Sequence, residues 1–468
     1  MNPLFPGINN RDDAIQWLYD RIDYERIRPA SSNPFRLERI ERLLKRIGSP
    51  HERIPAVHIA GTKGKGSTAA MVDSILRASG IHTGLFTSPH IEQFEERMRV
   101  SGRLPHPDQL TRLVSRLAEI LHQSEVETAD RIPTFFEITT LLAWMLFDEE
   151  DVDIAVLETG LGGRLDCTNV CRPLVTVITS IGLDHTHILG DTLSLIAAEK
   201  AGILKPGVPV VQGQLPEVAD IVVTARAREL GCRQLVCGRE FAWQIDQMDD
   251  QLGVHKRSQR MLVRTPTNRY DGLTIPLLGQ HQAHNASLAV MTAELLAEAG
   301  VGQIDAGSIS QGLRTTHWPL RFEVFDQCPT IVLDAAHNPD SMRAVASVLT
   351  DSEWLNRRRV LVFAVSADKD AQSMAEIILP HFDDVILTRF LGNPRSRPPE
   401  DLLAISQTLT EAIPNTWRTQ TAPDPQMAMQ KARELAGAEG VVVVTGSIFL
   451  ASEVRSLLTG NPEASSEK

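Results

Sequence analysis

A glycine-punctuated loop between a buried strand and a helix constrains this chain more than any other stretch. It is AVHIAGTKGKGST, from Ala56 to Thr68. Val57, His58 and Ile59 read as the end of a strand, Gly61, Gly64 and Gly66 break the loop, and Ser67 opens an apolar-periodic helix. Strand, glycine loop and helix together present backbone N–H groups and a helix N-terminus to a phosphate. Lys65 lies inside the loop, where its ammonium can reach the outer phosphates of a nucleotide. The general phosphate-loop pattern has Ser or Thr directly after that lysine. Gly66 stands there, so the hydroxyl must come from Ser67 or from elsewhere. A glycine-rich turn without a ligand is the alternative reading of so near a match.

At 468 residues the chain exceeds one ordinary core, so two domains of unequal size are expected. A formal charge of −12 argues against broad nucleic-acid binding and requires local basic residues wherever an anionic substrate sits. The N-terminal residues show no basic segment followed by an apolar core, and no apolar run is long enough to span a bilayer, so neither signal peptide nor membrane anchor is expected. Cys167, Cys171, Cys232, Cys237 and Cys328 are odd in number and form no CxxC pair, which fits a reduced, cytoplasmic protein.

Strands and helices alternate along the chain. Residues 11–47 are expected to be helical with a break at 29–34, and 67–79 to form a helix closed by Gly80. The strand HTGLFTS ends at Ser88-Pro89-His90, and IEQFEERMRVSG reads as irregular. Helices follow at 107–122 and 134–147, then the buried strand DIAVLE, ending at Glu158. LVTVITSIG leads into Leu183-Asp184-His185, and a helix is expected over 192–204. Residues 237–269 are polar and poorly periodic, read as β-hairpins at a sheet edge, and 281–299 as a long helix. Past a boundary at 311–319 a second set begins: TIVLDAA, RVLVFAV, DVILTRF and VVVVTGS, each followed by a helix. The expected fold is α/β, with a large phosphate-loop domain built on a mainly parallel sheet (residues 1–314), a smaller Rossmann-like α/β domain (315–460) and a disordered tail (461–468). Ligands of such sheets collect beyond the carboxyl ends of the strands, where Gly61, Ser88, Glu158 and His185 all lie.

Glu158 and His185, at neighbouring strand ends beside a phosphate loop, suggest a magnesium site, although histidine is a less usual ligand for that ion. Lys200 shares a helical face with Leu193, Ile196, Ala197, Ile203 and Leu204. A lysine on an apolar stripe must be paired, snorkel to solvent or be chemically altered, and the pattern leaves these open. Asp334 and His337 stand three apart at a strand-to-helix turn, where they could face a ligand or cap the helix, and Lys369 repeats the theme one strand later.

These motifs together resemble the folylpolyglutamate synthase/dihydrofolate synthase family of Mur-type ligases, in order and over nearly the whole chain. GTKGKGS is similar to the family phosphate loop, which usually has Asn at the place of Lys63. TSPH, LETGLGGRLDCTN, GLDH, AAEKAGI, GQHQAHNASLA, AHNP, NPRSRPPEDL and TGSIFLASEVR are similar to further family blocks. Leu320 and Ala335 stand where Gly is common.

The resemblance implies that ATP binds Gly61, Thr62, Lys63, Gly64, Lys65, Gly66 and Ser67, with Asn285, Arg321 and Asp334 as further nucleotide contacts. It implies two Mg²⁺ ions, one on Ser88 and Glu158 and one on Glu158 and His185. Lys200 matches the family's carbamylated lysine, whose two oxygens would orient the second ion's shell. The implied reaction activates a substrate carboxylate as an acyl phosphate, which the amine of L-glutamate attacks. Lys65 stabilises charge, and His337 and Asp334 sit near the amine with no choice made between them. The substrates the resemblance implies are ATP, L-glutamate and a folate or dihydropteroate, with a monomer expected to use them without nucleic acid or membrane. A cell-wall peptide ligase and a nucleotide switch without ligase chemistry are the alternatives; AAEKAGI and GQHQ count against the first, and Lys200 and the second α/β domain against the second.

Overall fold

The computed structural model describes residues 7–21, 37–128, 133–249, 258–350, 353–412 and 417–460. The first sheet comprises β1 (Ala56–Ala60), β2 (Thr83–Phe86), β3 (Met98–Val100), β4 (Ile154–Glu158), β5 (Pro173–Ile178), β6 (Val210–Gln212) and β7 (Gln234–Val236). Their order is β3-β2-β4-β1-β5-β6-β7, parallel except for the edge strand β3. Every residue of β1 and β4 is buried, as a sheet covered on both faces requires. The two-residue period sorts these side chains. Val57, Ile59, Ile154 and Val156 enter one core with residues of helices Lys65–Ala78 and Gln280–Glu298. Ala56, Ala155 and Leu157 enter another with residues of helices Pro107–Thr128 and Phe135–Glu149. Because β4 and β5 flank β1, the loops leaving their carboxyl ends are neighbours.

Several expectations need correction. The phosphate-loop helix starts at Lys65, not Ser67, because Gly64 takes the N-cap position in a left-handed conformation. IEQFEERMRVSG is ordered: Gln93 and Glu96 form a capping box on the turn Phe94–Arg97, and β3 follows. Its polar composition conceals buried pairing, since Arg11 Nε lies 2.6 Å from Glu95 Oε1. The helix read over 192–204 is shorter, Leu193–Ala201. The polar stretch after Cys237 is not an edge of the large sheet. It contains β8 (Ala242–Asp249) and β9 (Ser258–Arg264), which with β10 (Arg269–Ile275) form a separate antiparallel sheet whose Met261, Val263 and Ile275 share the core of helix Gln280–Glu298. The break expected at 29–34 and the tail at 461–468 lie outside the described residues.

The second sheet comprises β11 (Glu323–Phe325), β12 (Thr330–Leu333), β13 (Arg359–Phe363), β14 (Asp384–Leu387), β15 (Arg418–Thr421) and β16 (Val441–Thr445), in the order β11-β12-β16-β13-β14-β15. The short edge strands β11 and β15, partly exposed, carry too little apolar pattern to be read from sequence. Among the described residues no helix is long and apolar enough to cross a membrane.

The two sheets are joined by specific side chains. Ile91, between β2 and β3, is buried in the second domain's core beside Leu320, Ile331 and Leu450. The Ser452 hydroxyl donates to the Ile91 carbonyl, and Arg455 ties Glu92 at 2.5 Å to Glu323 at 3.0 Å. Ile91→Ala should lower stability by about 2–4 kcal/mol, the usual cost of removing a buried branched side chain, with Ile91→Val costing about 1 kcal/mol. Urea denaturation measures both. An unshifted midpoint for Ile91→Ala would mean that this side chain does not dock the domains.

Candidate active site

The phosphate loop is tied to the end of β5. Thr62 N donates to Ser180 O at 2.8 Å, and Lys63 N donates to Ser180 Oγ at 2.8 Å. Lys63 O accepts from Thr179 Oγ1 at 2.6 Å and from Ser180 Oγ at 3.0 Å. Gly61 permits this approach, since a Cβ there would lie 1.9 Å from Thr179 Oγ1. Gly64 has φ +82, and a Cβ on it would meet Asn285 Oδ1 at 2.3 Å, which places Asn285 against the loop. Gly64 provides no side-chain cap, so the first-turn N–H groups of helix Lys65–Ala78 lack a side-chain acceptor, an arrangement suited to an anion. Ser67 is buried in that turn, and the Thr68 hydroxyl beside it is buried without a partner.

Glu158 ends β4 beneath this loop. Its Oε2 accepts from Ser88 N at 3.3 Å, and its Oε1 lies 3.9 Å from Lys65 Nζ. Burial raises its pKa above the ordinary carboxylate value, against the opposing charge of Lys65. A buried carboxylate with so few close donors, next to a residue bearing a hydroxyl, fits a magnesium ion. Among the described residues no three His, Cys, Asp or Glu side chains converge as a metal cluster, so water and phosphate would complete any shell. His185 follows Asp184, its side chain 46% exposed and its Nε2 3.8 Å from Asp184 Oδ1; no described contact joins it to Glu158.

Lys200 lies on helix Leu193–Ala201 and is 4% exposed. Its Nζ donates to Gly61 O at 2.9 Å, and no described carboxylate lies within ion-pairing distance. The salt bridge that would ordinarily explain such a lysine is therefore not what the structure shows. Burial, followed by the charge of Lys65, brings its pKa down to about 7.

The second domain faces the loop with the turn after β12. Asp334 is buried, its Oδ2 accepting from Phe322 N and its Oδ1 from Ala336 N, both at 2.8 Å. It shapes this turn and does not cap the helix Pro339–Thr350. Burial raises its pKa to about 6, against Arg321, whose charge also opposes the rise at Glu158. His337 Nδ1 donates to Ala335 O at 2.9 Å, leaving Nε2 to accept from Lys63 Nζ at 3.1 Å, because an ammonium only donates. The Lys63 side chain, expected on the nucleotide, is thus engaged with the second domain.

Sequence reasoning did not single out Thr179, Ser180 or Trp318. The first two were legible as polar residues ending the apolar strand LVTVITS. Trp318, inside the expected boundary at 311–319, had no such signal. A Cβ on Gly66 would lie 3.3 Å from both Glu158 Oε2 and Trp318 Nε1, so the indole lies over the loop, and its N–H is buried without a partner.

The Mur ligase middle domain matches residues 59–293, and the Mur ligase glutamate ligase domain matches residues 320–448. The folylpolyglutamate synthase of Lacticaseibacillus casei is 34% identical over 423 residues, covering 90% of this chain and 94% of the relative. The chain belongs to the folylpolyglutamate synthase/dihydrofolate synthase family. The Bacillus subtilis dihydrofolate synthase/folylpolyglutamate synthase is 33% identical over 451 residues, covering 95% of this chain and 98% of the relative. The chain spans about half of a Haloferax volcanii relative, a probable bifunctional folylpolyglutamate synthase/dihydropteroate synthase, which is 36% identical over 450 residues and 96% of this chain. An FPGS–AMPPCP complex superposes with a TM-score of 0.82 at 30% identity, over 97% of this chain and all of that one (100%). Escherichia coli FolC in complex with DHPP and ADP also has a TM-score of 0.82, at 26% identity over 97% of this chain and 99% of that one. The family fold, a mainly parallel seven-stranded sheet followed by a mixed six-stranded α/β domain, is the fold described above.

Trp318→Phe keeps an aromatic side chain and removes the unpartnered donor. Should that N–H donate to a phosphate of bound ATP, its loss would weaken ATP binding roughly tenfold or more. Isothermal titration with a non-hydrolysable ATP analogue measures this, and unchanged affinity would leave the indole a purely steric cover.

Proposed function

We propose that this family member is a cytoplasmic, monomeric, ADP-forming ligase that attaches L-glutamate to the carboxylate of a folate, and also to dihydropteroate. The observation that carries the reading is the junction itself: a phosphate loop over the buried carboxylate of Glu158, met from the second domain by His337 on the turn that Asp334 holds. The first-turn N–H groups of helix Lys65–Ala78 hold the nucleotide's phosphates, with Asn285, Arg321 and Asp334 as its further contacts. The substrate carboxylate attacks the γ-phosphate, ADP leaves as the bond to the β–γ bridging oxygen breaks, and Lys65 stabilises the charge on the transferring group. The resulting acyl phosphate is attacked by the glutamate amine, an amide forms and phosphate leaves. Docked domains keep water from the acyl phosphate.

Ser88 with Glu158, and Glu158 with His185, are the residues that would hold two magnesium ions, which when bound neutralise phosphate charge. Lys200 is suited to carbamylation. A pKa of about 7 leaves much of its amine neutral at physiological pH, and only the neutral amine adds to carbon dioxide, releasing one proton. The bifunctional Bacillus subtilis relative and the FolC complex with DHPP support activity on dihydropteroate beside the folate activity.

ADP release, measured with tetrahydrofolate or dihydropteroate and with or without L-glutamate, tests the reading. Turnover should require both glutamate and one of these acceptors. A nucleotide switch would hydrolyse ATP without either, and a cell-wall ligase would accept neither. Glu158→Gln should abolish most turnover while the fold survives, whereas Ser88→Ala should be milder because water replaces a hydroxyl ligand; a fully active Glu158→Gln enzyme would end the metal assignment.

Carbon-13 NMR with labelled bicarbonate should show a carbamate on the native protein and none on Lys200→Arg. The signal should grow as pH rises through about 7, the pKa to which burial lowers this lysine. Stability carries the same sign: the unfolded lysine titrates near 10.5 and the folded one near 7, so the unfolded state binds more protons between them and Lys200's contribution becomes more favourable as pH rises through that window. An active enzyme without a carbamate signal would refute the assignment.

A further inference from the structure

We propose that Lys63 is a positioning residue whose side chain fixes the second domain on the phosphate loop, bridging Asp184 of the first domain and His337 of the second. The inference rests on the ligase reading above and concerns a residue whose place in the loop would otherwise assign it to phosphate.

Its main chain is immobilised, with the N–H donating to Ser180 Oγ and the carbonyl accepting from Thr179 and Ser180. From that fixed base the ammonium donates to Asp184 Oδ2 at 2.9 Å and to His337 Nε2 at 3.1 Å. Lys65, two residues on, is the loop cation next to Glu158, so a phosphate-facing lysine is supplied without Lys63. Asp184 is gripped from the second domain as well. Asn338 Nδ2 donates to its Oδ2 at 3.4 Å, and Lys369 Nζ lies 3.7 Å from its Oδ1. The loops after β1 and β5 therefore meet the loops after β12 and β13 at one carboxylate and one ammonium.

The bridge also sets the state of His337. Its Nδ1 is committed to Ala335 O, so a donor at Nε2 holds the ring in one orientation and one tautomer. The charge of Lys63, then burial, keeps the imidazole well below its ordinary pKa and hence neutral. Removing the ammonium frees the ring to turn and releases Asp184 from its strongest donor. Lys63 thus acts on the reaction through His337 and the domain junction.

Lys63→Met keeps the aliphatic stem and removes the ammonium. Its kcat should fall at least about tenfold, because small misplacements of a reacting group are costly, while KM for ATP should change less than about twofold. Small-angle scattering of the nucleotide-free protein should show a larger radius of gyration than the native enzyme. Lys63→Arg, which retains a cation with comparable reach, should keep the native radius and recover part of kcat. Combined with Asp184→Ala, the losses should be less than additive, because the two substitutions share the Lys63–Asp184 contact, and what Asp184→Ala adds reflects its separate contacts with Asn338 and Lys369. A raised KM for ATP with an unchanged radius would make Lys63 a phosphate ligand and overturn the proposal, as would an unchanged kcat. If the native protein shows no glutamate-dependent ADP release, the ligase reading fails, and scattering still decides whether the bridge exists.

Discussion

The candidate site depends on how closely the phosphate loop lies on the end of β5. Thr179 N donates to Ala60 O at 2.9 Å, and its hydroxyl continues the contact onto Lys63 O at 2.6 Å. Only a residue without Cβ fits between them, and Gly61 is that residue. The approach fixes the Gly61 carbonyl, which is the acceptor for Lys200 at 2.9 Å. It also fixes the direction in which helix Lys65–Ala78 leaves the loop. Because β1 lies between β4 and β5, the same contact sets the distance from the loop to Glu158 on one side and to Asp184 on the other.

A second constraint is charge. The chain is acidic, with a net charge of −12, yet Lys63, Lys65, Lys200, Lys369 and Arg321 gather at one junction. Burial first and then neighbouring lysines lower Lys200, burial is also the main cause lowering Lys63, and Lys63 is the largest influence lowering His337. Asp184 is the counterweight. Burial alone would raise its pKa, but Lys63, His185 and Lys369 together hold it well below the usual carboxylate range. Crowded cations short of anions are a state that a polyphosphate stabilises on binding.

Much of this was readable in the residues. The buried runs AVHIA, IAVLE and VVVVT could be placed as central strands because both faces are covered, and glycine spacing located the phosphate loop. What escaped had no local periodicity. The strand β3 and its preceding turn carry buried Glu95 and Arg97, which look like solvated charges until Arg11 is found beside Glu95. The sheet β8–β10 looked like edge hairpins because one of its faces is polar, and the helix it covers lies later in the chain. Trp318 and the Lys63 side chain depend on contacts across the domain junction, which no spacing within one segment encodes. Lys200 was visible as an anomaly on an apolar face, but its acceptor is a main-chain carbonyl distant in sequence.

The two domains contribute in different ways. On the first, the loop's own backbone is bonded to β5, so the phosphate cradle is formed whether or not the second domain is near. On the second, Asp334 spends both oxygens on the N–H groups of Phe322 and Ala336, which fixes the turn carrying His337. The carboxylate therefore acts first on the geometry of that turn, and the imidazole's Nε2 is what the turn presents to the junction. Around this site the junction is made by His337, Asn338 and Lys369 reaching toward Lys63 and Asp184. A rotation of the second domain would change those side-chain contacts without releasing the loop from β5. The hydrogen bonds that shape the loop are thus distinct from those that dock the domains, an arrangement compatible with a ligand entering before the domains close over it.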